Sequence, residues 1–234
     1  MTAAGAVPTL VVSEVFGPTL QGEGPSAGQA AAFVRLGRCN LACAWCDTPY
    51  TWDWERFDPA AELTTMAVAE VVERVDATGA GLVVVTGGEP LLQQHRLPPL
   101  LGALKGRGRR VEVETAGTIA PALPDGLVDG WNVSPKLASS GMAAERRLRP
   151  AVLRAFAATG RAVFKFVVRS PAELDEVAAV VERCGAAPVW VMPEGTDEAT
   201  VLARLRELAP HVVARGWNLT PRLHVLVWGD RRGT

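Results

Sequence analysis

The sequence predicts an α/β fold in which β/α units surround a mainly parallel sheet. Short runs rich in β-branched residues alternate along the chain with amphipathic, helix-like segments, the pattern of strands joined by crossover helices. Several of these runs end directly on polar or glycine-rich motifs, and the carboxyl ends of strands are where such sheets bind ligands. Apolar residues make up 48% of the chain and charged residues 21%, a balance that supports a sizeable buried interior. With 234 residues, one core is the simplest division, and residues 1–234 are read as a single domain.

Strands are expected at residues 10–16, 32–36, 82–85, 110–114, 131–133, 163–168 and 189–192. Between the second and third, residues 66–78 place Val68, Val71, Val72 and Val75 on one helical face behind Thr65 as N-cap. Pro98 and Pro99 break or shorten the helix expected after Gly88. Ser170 and Pro171 open the next helix, which turns Leu174, Val177, Ala178 and Val181 inward. Residues 196–208 form another.

The formal net charge is −1, and neither a basic stripe nor an acidic tail is present. The expectation is therefore no nucleic-acid partner and no membrane partner. Residues 1–8 lack a cationic start followed by an apolar core, and no apolar run approaches eighteen residues, so a cytoplasmic protein is expected.

Three of the four cysteines fall in Gly37-Arg-Cys-Asn-Leu-Ala-Cys-Ala-Trp-Cys-Asp-Thr, immediately after a predicted strand. Clustering of this kind indicates a metal site in a reducing compartment better than it indicates disulfides. A 4Fe–4S cluster takes four thiolates, so Cys39, Cys43 and Cys46 acting alone leave one iron open. An open iron can chelate the amino and carboxylate groups of S-adenosylmethionine (SAM) for one-electron cleavage. The alternative is a zinc knot completed by His95 or His224, but structural zinc sites pair their ligands in C-x2-C-like units with a fourth ligand nearby. Cys184 reads as a small buried hydrophobe. The C-x3-C-x2-C spacing, with Trp45 just before the last cysteine, resembles the radical SAM signature. That resemblance implies a compact, partial (β/α)6-type TIM barrel with outer helices.

The other strand ends carry weaker signals. Thr86-Gly-Gly-Glu-Pro is similar to the radical SAM element that holds the methionyl amino group, although an ordinary turn with Glu89 as a helix cap has the same sequence. Glu114-Thr115, Ser134-Pro-Lys136 and Met192-Pro-Glu-Gly195 follow at later strand ends. Lys136 and Lys165 are two of only three lysines in the chain. Each motif alone could be a turn or a solvated surface group; their common predicted face is what an active-site mouth requires. The leader Leu20-Gln-Gly-Glu-Gly24 places Gln21 and Glu23 to read donor and acceptor edges of a heterocycle.

Together, the leader, Arg35, the cysteine loop, Thr-Gly-Gly-Glu-Pro, Ser-Pro-Lys, Met-Pro-Glu-Gly and Pro221-Arg-Leu-His resemble the 7-carboxy-7-deazaguanine synthase family across nearly the whole chain. The resemblance implies contraction of 6-carboxy-5,6,7,8-tetrahydropterin to 7-carboxy-7-deazaguanine with loss of ammonia, SAM being regenerated. It also implies Mg2+ held by Thr48, a site suited to an ion that keeps its waters. Leu20, Gln21, Gly22, Arg35, Thr86 and Pro221 would contact the pterin, with Arg35 forking onto its carboxylate. Trp45, Cys46, Asp47, Gly88, Ser134, Pro135, Lys136, Met192, Pro193, Glu194 and Gly195 would line SAM. A flavodoxin- or ferredoxin-like electron donor and a homodimer are implied as well.

The chain departs from the family pattern after His224. Its Val225-Leu-Val-Trp run is expected to be a strand, packed at a dimer interface or against the barrel. Two other functions remain open on sequence grounds: a radical SAM activase that makes a glycyl radical on a partner protein, and a zinc-binding interaction module.

Overall fold

The computed structural model describes residues 7–234, so of the segment read for a targeting signal only Val7 and Pro8 fall within the described residues. β1 (Thr9–Leu20) runs antiparallel to β2 (Ala30–Leu36) on one side and to β3 (Thr64–Ala67) on the other. From β2 onward the sheet is parallel, continuing through β4 (Leu82–Gly87), β5 (Arg110–Thr115), β6 (Gly130–Val133), β7 (Ala162–Val168), β8 (Val189–Pro193) and the short β9 (Asn218–Leu219). The order is β3-β1-β2-β4-β5-β6-β7-β8-β9, with β3 and β9 at unjoined edges. This is the expected partial barrel, an open and mainly parallel sheet with flanking helices.

The helices, in chain order, are α1 (Pro59–Glu62), α2 (Val68–Thr78), α3 (Pro98–Gly106), α4 (Ala144–Arg147), α5 (Pro150–Ala158), α6 (Leu174–Cys184), α7 (Glu198–Ala214) and α8 (Leu223–Trp228). The period-two side-chain alternation of a strand divides the sheet into two faces. Val83, Val85, Val111 and Val113 join the main core with Val71, Val72 and Val75 of α2 and Leu100, Leu101 and Leu104 of α3. On the opposite face, Ala31, Phe33, Leu82 and Val84 form a small apolar cluster with Phe16 against it. That face also carries the buried polar side chains Thr86, Glu112, Asn132 and Lys165.

Glu112 is satisfied by Ser26 Oγ at 2.6 Å, Arg110 at 2.5 Å and Asn132 Nδ2 at 2.9 Å. These bonds meet the need of a buried carboxylate for partners. Among the described residues, no helix is long and apolar enough to cross a membrane.

Four local expectations change. Residues 64–67 are an edge strand paired with β1, so α2 begins at Val68 with Ala67, not Thr65, at its N-cap. Its four predicted valines are buried as expected. Pro98 and Pro99 do interrupt the segment after Gly88, but they do so by occupying the first turn of α3 after a 3-10 stretch at Pro90–Arg96, where a missing N–H costs nothing. In α6 the buried face is Leu174, Val177, Val180 and Cys184, with Ala178 and Val181 only half-buried. Residues 225–228, expected as a strand, lie in α8, because Arg222 O accepts the N–H groups of Val225 and Leu226.

Candidate active site

One cleft of about 490 Å³ opens at the carboxyl ends of the parallel strands. The cysteine loop leaves β2 through Arg38, whose φ of 76° lies in the left-handed region. It is clamped at once: Arg38 N donates to Thr51 O at 2.7 Å, and Arg38 O accepts from Glu89 N at 2.9 Å. The approach needs Gly88, since a Cβ there would overlap the Arg38 carbonyl oxygen. The glycine pair of Thr-Gly-Gly-Glu-Pro thus brings the β4 turn onto the cysteine loop, in addition to lining the cleft.

Glu89 is fully buried and points away from solvent. Its carboxylate accepts from Leu91 N at 3.0 Å, Thr115 Oγ1 at 2.8 Å and Ala116 N at 2.8 Å, tying the end of β4 to that of β5. Glu89 thus caps the 3-10 stretch that follows it, as the turn reading expected, while Gly87 and Gly88 line the cleft.

Cys39, Cys43 and Cys46 all line the cleft and pack with Leu41, Ala116 and Met142. Burial pushes the Cys39 thiol up to about 12 and raises Cys43 as well. Cys46 Sγ accepts from Trp52 Nε1 at 3.3 Å and lies 3.7 Å from Thr48 Oγ1. Among the described residues, no three His, Cys, Asp or Glu side chains converge tightly enough to hold a single metal ion. Three soft thiol donors line one cleft, the kind of ligand a 4Fe–4S cluster takes. Cys184 is buried in α6, apart from this set.

Beside the thiols, Trp45 presents an indole whose Nε1 is buried without a partner among the described residues. Lys136 Nζ lies 5.6 Å from the centroid of that ring and donates to Ser134 Oγ at 3.0 Å. Asp47 and Met192 line the same cleft.

Also in the cleft, Arg35 Nε donates to Glu14 Oε2 at 3.0 Å, and its guanidinium sits 5.5 Å from the Phe16 ring centroid. Leu20, Gln21, Gly22 and Thr86 line the same cleft, Thr86 beside Arg35 on the neighbouring strand. Glu114 holds two of them, accepting from Gln21 Nε2 at 3.0 Å and from Thr86 Oγ1 at 2.9 Å.

Thus Leu20, Gln21, Gly22, Arg35, Trp45, Asp47, Thr48, Thr86, Gly88, Ser134, Lys136, Met192 and the three cysteines share one cleft. Pro135, Pro193, Glu194, Gly195 and Pro221 are not part of its lining. Glu194 is ion-paired with Arg204 of α7, and Gly195 O accepts from Arg222 Nη1 at 2.6 Å.

Several cleft residues were not singled out from sequence. Arg222 pairs with Asp47 and, at 3.4 Å, with Glu23, which also pairs with Lys165. Burial alone would raise the Glu23 carboxyl, but Lys165, Arg222 and His224 outweigh it and hold it well below the usual carboxylate range. Leu223 N donates to Gly22 O at 2.9 Å and Gly24 N to Thr220 Oγ1 at 2.9 Å. The end of the chain thereby spans the mouth beside the leader, and Asp230 to Thr234 line the cleft. The sequence signals that pointed to this network were Glu23 in the polar, glycine-rich leader and Lys165 in a predicted strand.

A family model described as the Radical SAM superfamily matches residues 34–139. Over 233 residues the chain is 40% identical to the 7-carboxy-7-deazaguanine synthase of Pyrobaculum aerophilum, covering 97% of this chain and 99% of that protein. It is 41% identical over 226 residues to the protein of the same name from Hyperthermus butylicus, covering 93% and 92%. The crystal structure of QueE from Escherichia coli matches with a TM-score of 0.69 at 25% identity, over 91% of this chain and 93% of that one.

Proposed function

The chain belongs to the 7-carboxy-7-deazaguanine synthase family of radical SAM enzymes, and from that premise we propose that it contracts 6-carboxy-5,6,7,8-tetrahydropterin to 7-carboxy-7-deazaguanine with release of ammonia. The observation that carries this reading is the sharing of one cleft by the three loop cysteines and Arg35. A reductive centre and a carboxylate-binding cation then face the same small-molecule volume.

Cys39, Cys43 and Cys46 would hold a 4Fe–4S cluster, which with SAM supplies one-electron chemistry and hydrogen abstraction when bound. The remaining steps are those of the chain itself. Trp45 offers an aromatic ring for an adenine, while Ser134 and Lys136 offer polar groups beside it. Arg35 binds the pterin carboxylate through its terminal nitrogens, since only Nε is engaged by Glu14. Glu114 orients Gln21 and Thr86 toward the heterocycle. The ion pairs of Glu23 with Lys165 and Arg222 line the cleft with compensated charge, so desolvation there leaves no lone ion.

The family premise further supports Mg2+ at Thr48, Pro221 against the pterin, and Pro135, Pro193, Glu194 and Gly195 around SAM. It also supports a homodimer, a flavodoxin- or ferredoxin-like reductant and a cytoplasmic location. Against a glycyl-radical activase stands the mouth of the cleft, which residues 220–224 bridge to the leader.

Anaerobically reconstituted protein given SAM, dithionite, Mg2+ and the carboxytetrahydropterin should yield a product with the mass of 7-carboxy-7-deazaguanine. Unchanged pterin in the presence of an intact cluster would overturn the assignment.

A further inference from the structure

The geometry points to Arg232 as a positioning residue that keeps Arg35 available for the substrate's carboxylate, an inference that rests on the reading of Arg35 given above. Five side chains from distant segments meet at the cleft. Arg35 Nε takes one oxygen of Glu14 at 3.0 Å, and Arg232 Nε takes the other. Arg232 Nη1 reaches Glu62 Oε2 of α1 at 2.7 Å. Tyr50 donates its hydroxyl to Glu14 Oε2 at 3.4 Å, and the Arg232 guanidinium lies 4.0 Å from the centroid of its ring.

Glu14 is an obstacle to an anion site. Its side chain is only 12% exposed, and it stands beside the one guanidinium that is to receive a second carboxylate. With Arg35 alone it would form a closed neutral pair, and the incoming anion would meet like charge in a poorly solvated place. Arg232 changes that balance by giving the same carboxylate a second cation. Glu14 is then compensated through both oxygens, and Arg35 is engaged by Nε alone. The two terminal nitrogens of Arg35 make no hydrogen bond among the described residues and remain as a fork for a bidentate carboxylate. Glu62 and the Tyr50 ring fix Arg232 from its other sides, a cation held over an aromatic face. Without Arg232, Glu14 draws Arg35 into a bidentate pair and the fork is lost.

The test compares binding of 6-carboxypterin and carboxyl-free pterin to the anaerobic, SAM-loaded holoenzyme. Arg232→Ala should weaken 6-carboxypterin by roughly fivefold to tenfold and leave pterin unchanged. Arg232→Lys, which keeps a cation on Glu14, should retain the preference for the carboxylated ligand. In turnover, Arg232→Ala should raise KM for the carboxytetrahydropterin by a similar factor while kcat stays within about twofold. Equal affinity of Arg232→Ala and wild type for 6-carboxypterin, or an equal loss for both ligands, would overturn the proposal. Arg35→Ala separates the two readings. Should it keep the preference for 6-carboxypterin, the role of Arg35 fails and this inference fails with it; should it abolish the preference while Arg232→Ala does not alter it, only the role of Arg232 fails.

Discussion

Burial holds the His224 imidazole below its usual value of 6.5, outweighing the opposite pull of Glu23. As pH falls through 6.5 the unfolded chain takes up the proton first. The stability associated with this group is therefore full above 6.5 and diminishes as pH drops toward the folded-state value. Wild-type Tm should fall more steeply between about pH 7.5 and 5.5 than that of His224→Gln, as read by thermal denaturation of the holoenzyme. A parallel pair of curves would contradict the burial argument. The cysteines, Arg35 and most of the cleft wall were legible as residues because they sit in compact motifs at strand ends. Glu14, Arg222 and Arg232 were not, since an ion pair such as Glu14 with Arg232 joins positions 218 apart in sequence and local spacing carries no trace of it.

Among the elements, the β/α alternation was readable except between β6 and β7, where α4 and α5 went unread, because the apolar periodicities of 2 and 3.6 survive in a chain with one main core. The misreadings fall where short apolar runs suit either conformation. Residues 225–228 are β-branched enough for a strand, yet with the Arg222 carbonyl accepting their first N–H groups they coil into α8. Residues 64–67 are too short to show alternation, and only pairing with β1 makes them a strand. At this scale Glu89 is the sharpest test, since it joins the turn after β4 to the end of β5 through fully buried hydrogen bonds. Burial raises its pKa, but the donors around it remain unsatisfied once it is removed. Glu89→Ala should cost about 3 kcal/mol or more in chemical denaturation, whereas a cost under about 1 kcal/mol would mean that water replaces the carboxylate.

In the whole molecule, the open edge of the sheet matters less than the way the leader meets the C-terminal segment. Arg222 is buried against Glu23 and Asp47 and donates to Gly195 O, so one side chain joins the leader, the cysteine loop and the turn after β8. Arg222→Ala should destabilise the protein by about 2 kcal/mol, less than the loss of an isolated buried partner because Lys165 still compensates Glu23. It should also weaken pterin binding, measurable by titration of the holoenzyme; an unchanged stability would assign the tie to Lys165 alone.

The bonds between leader and C-terminal segment have a consequence in time. Gly24 finds Thr220 across 196 residues, and Glu23 finds Arg222 across 199. At about 5–20 residues per second, a ribosome needs roughly 10 to 40 seconds to supply those partners after the leader emerges. Once β4 has followed, the cysteine loop can fold onto it while the mouth above it still lacks its bridge. Until residues 220–222 emerge the leader has neither partner, so the bridge across the cleft is among the last contacts the chain can make.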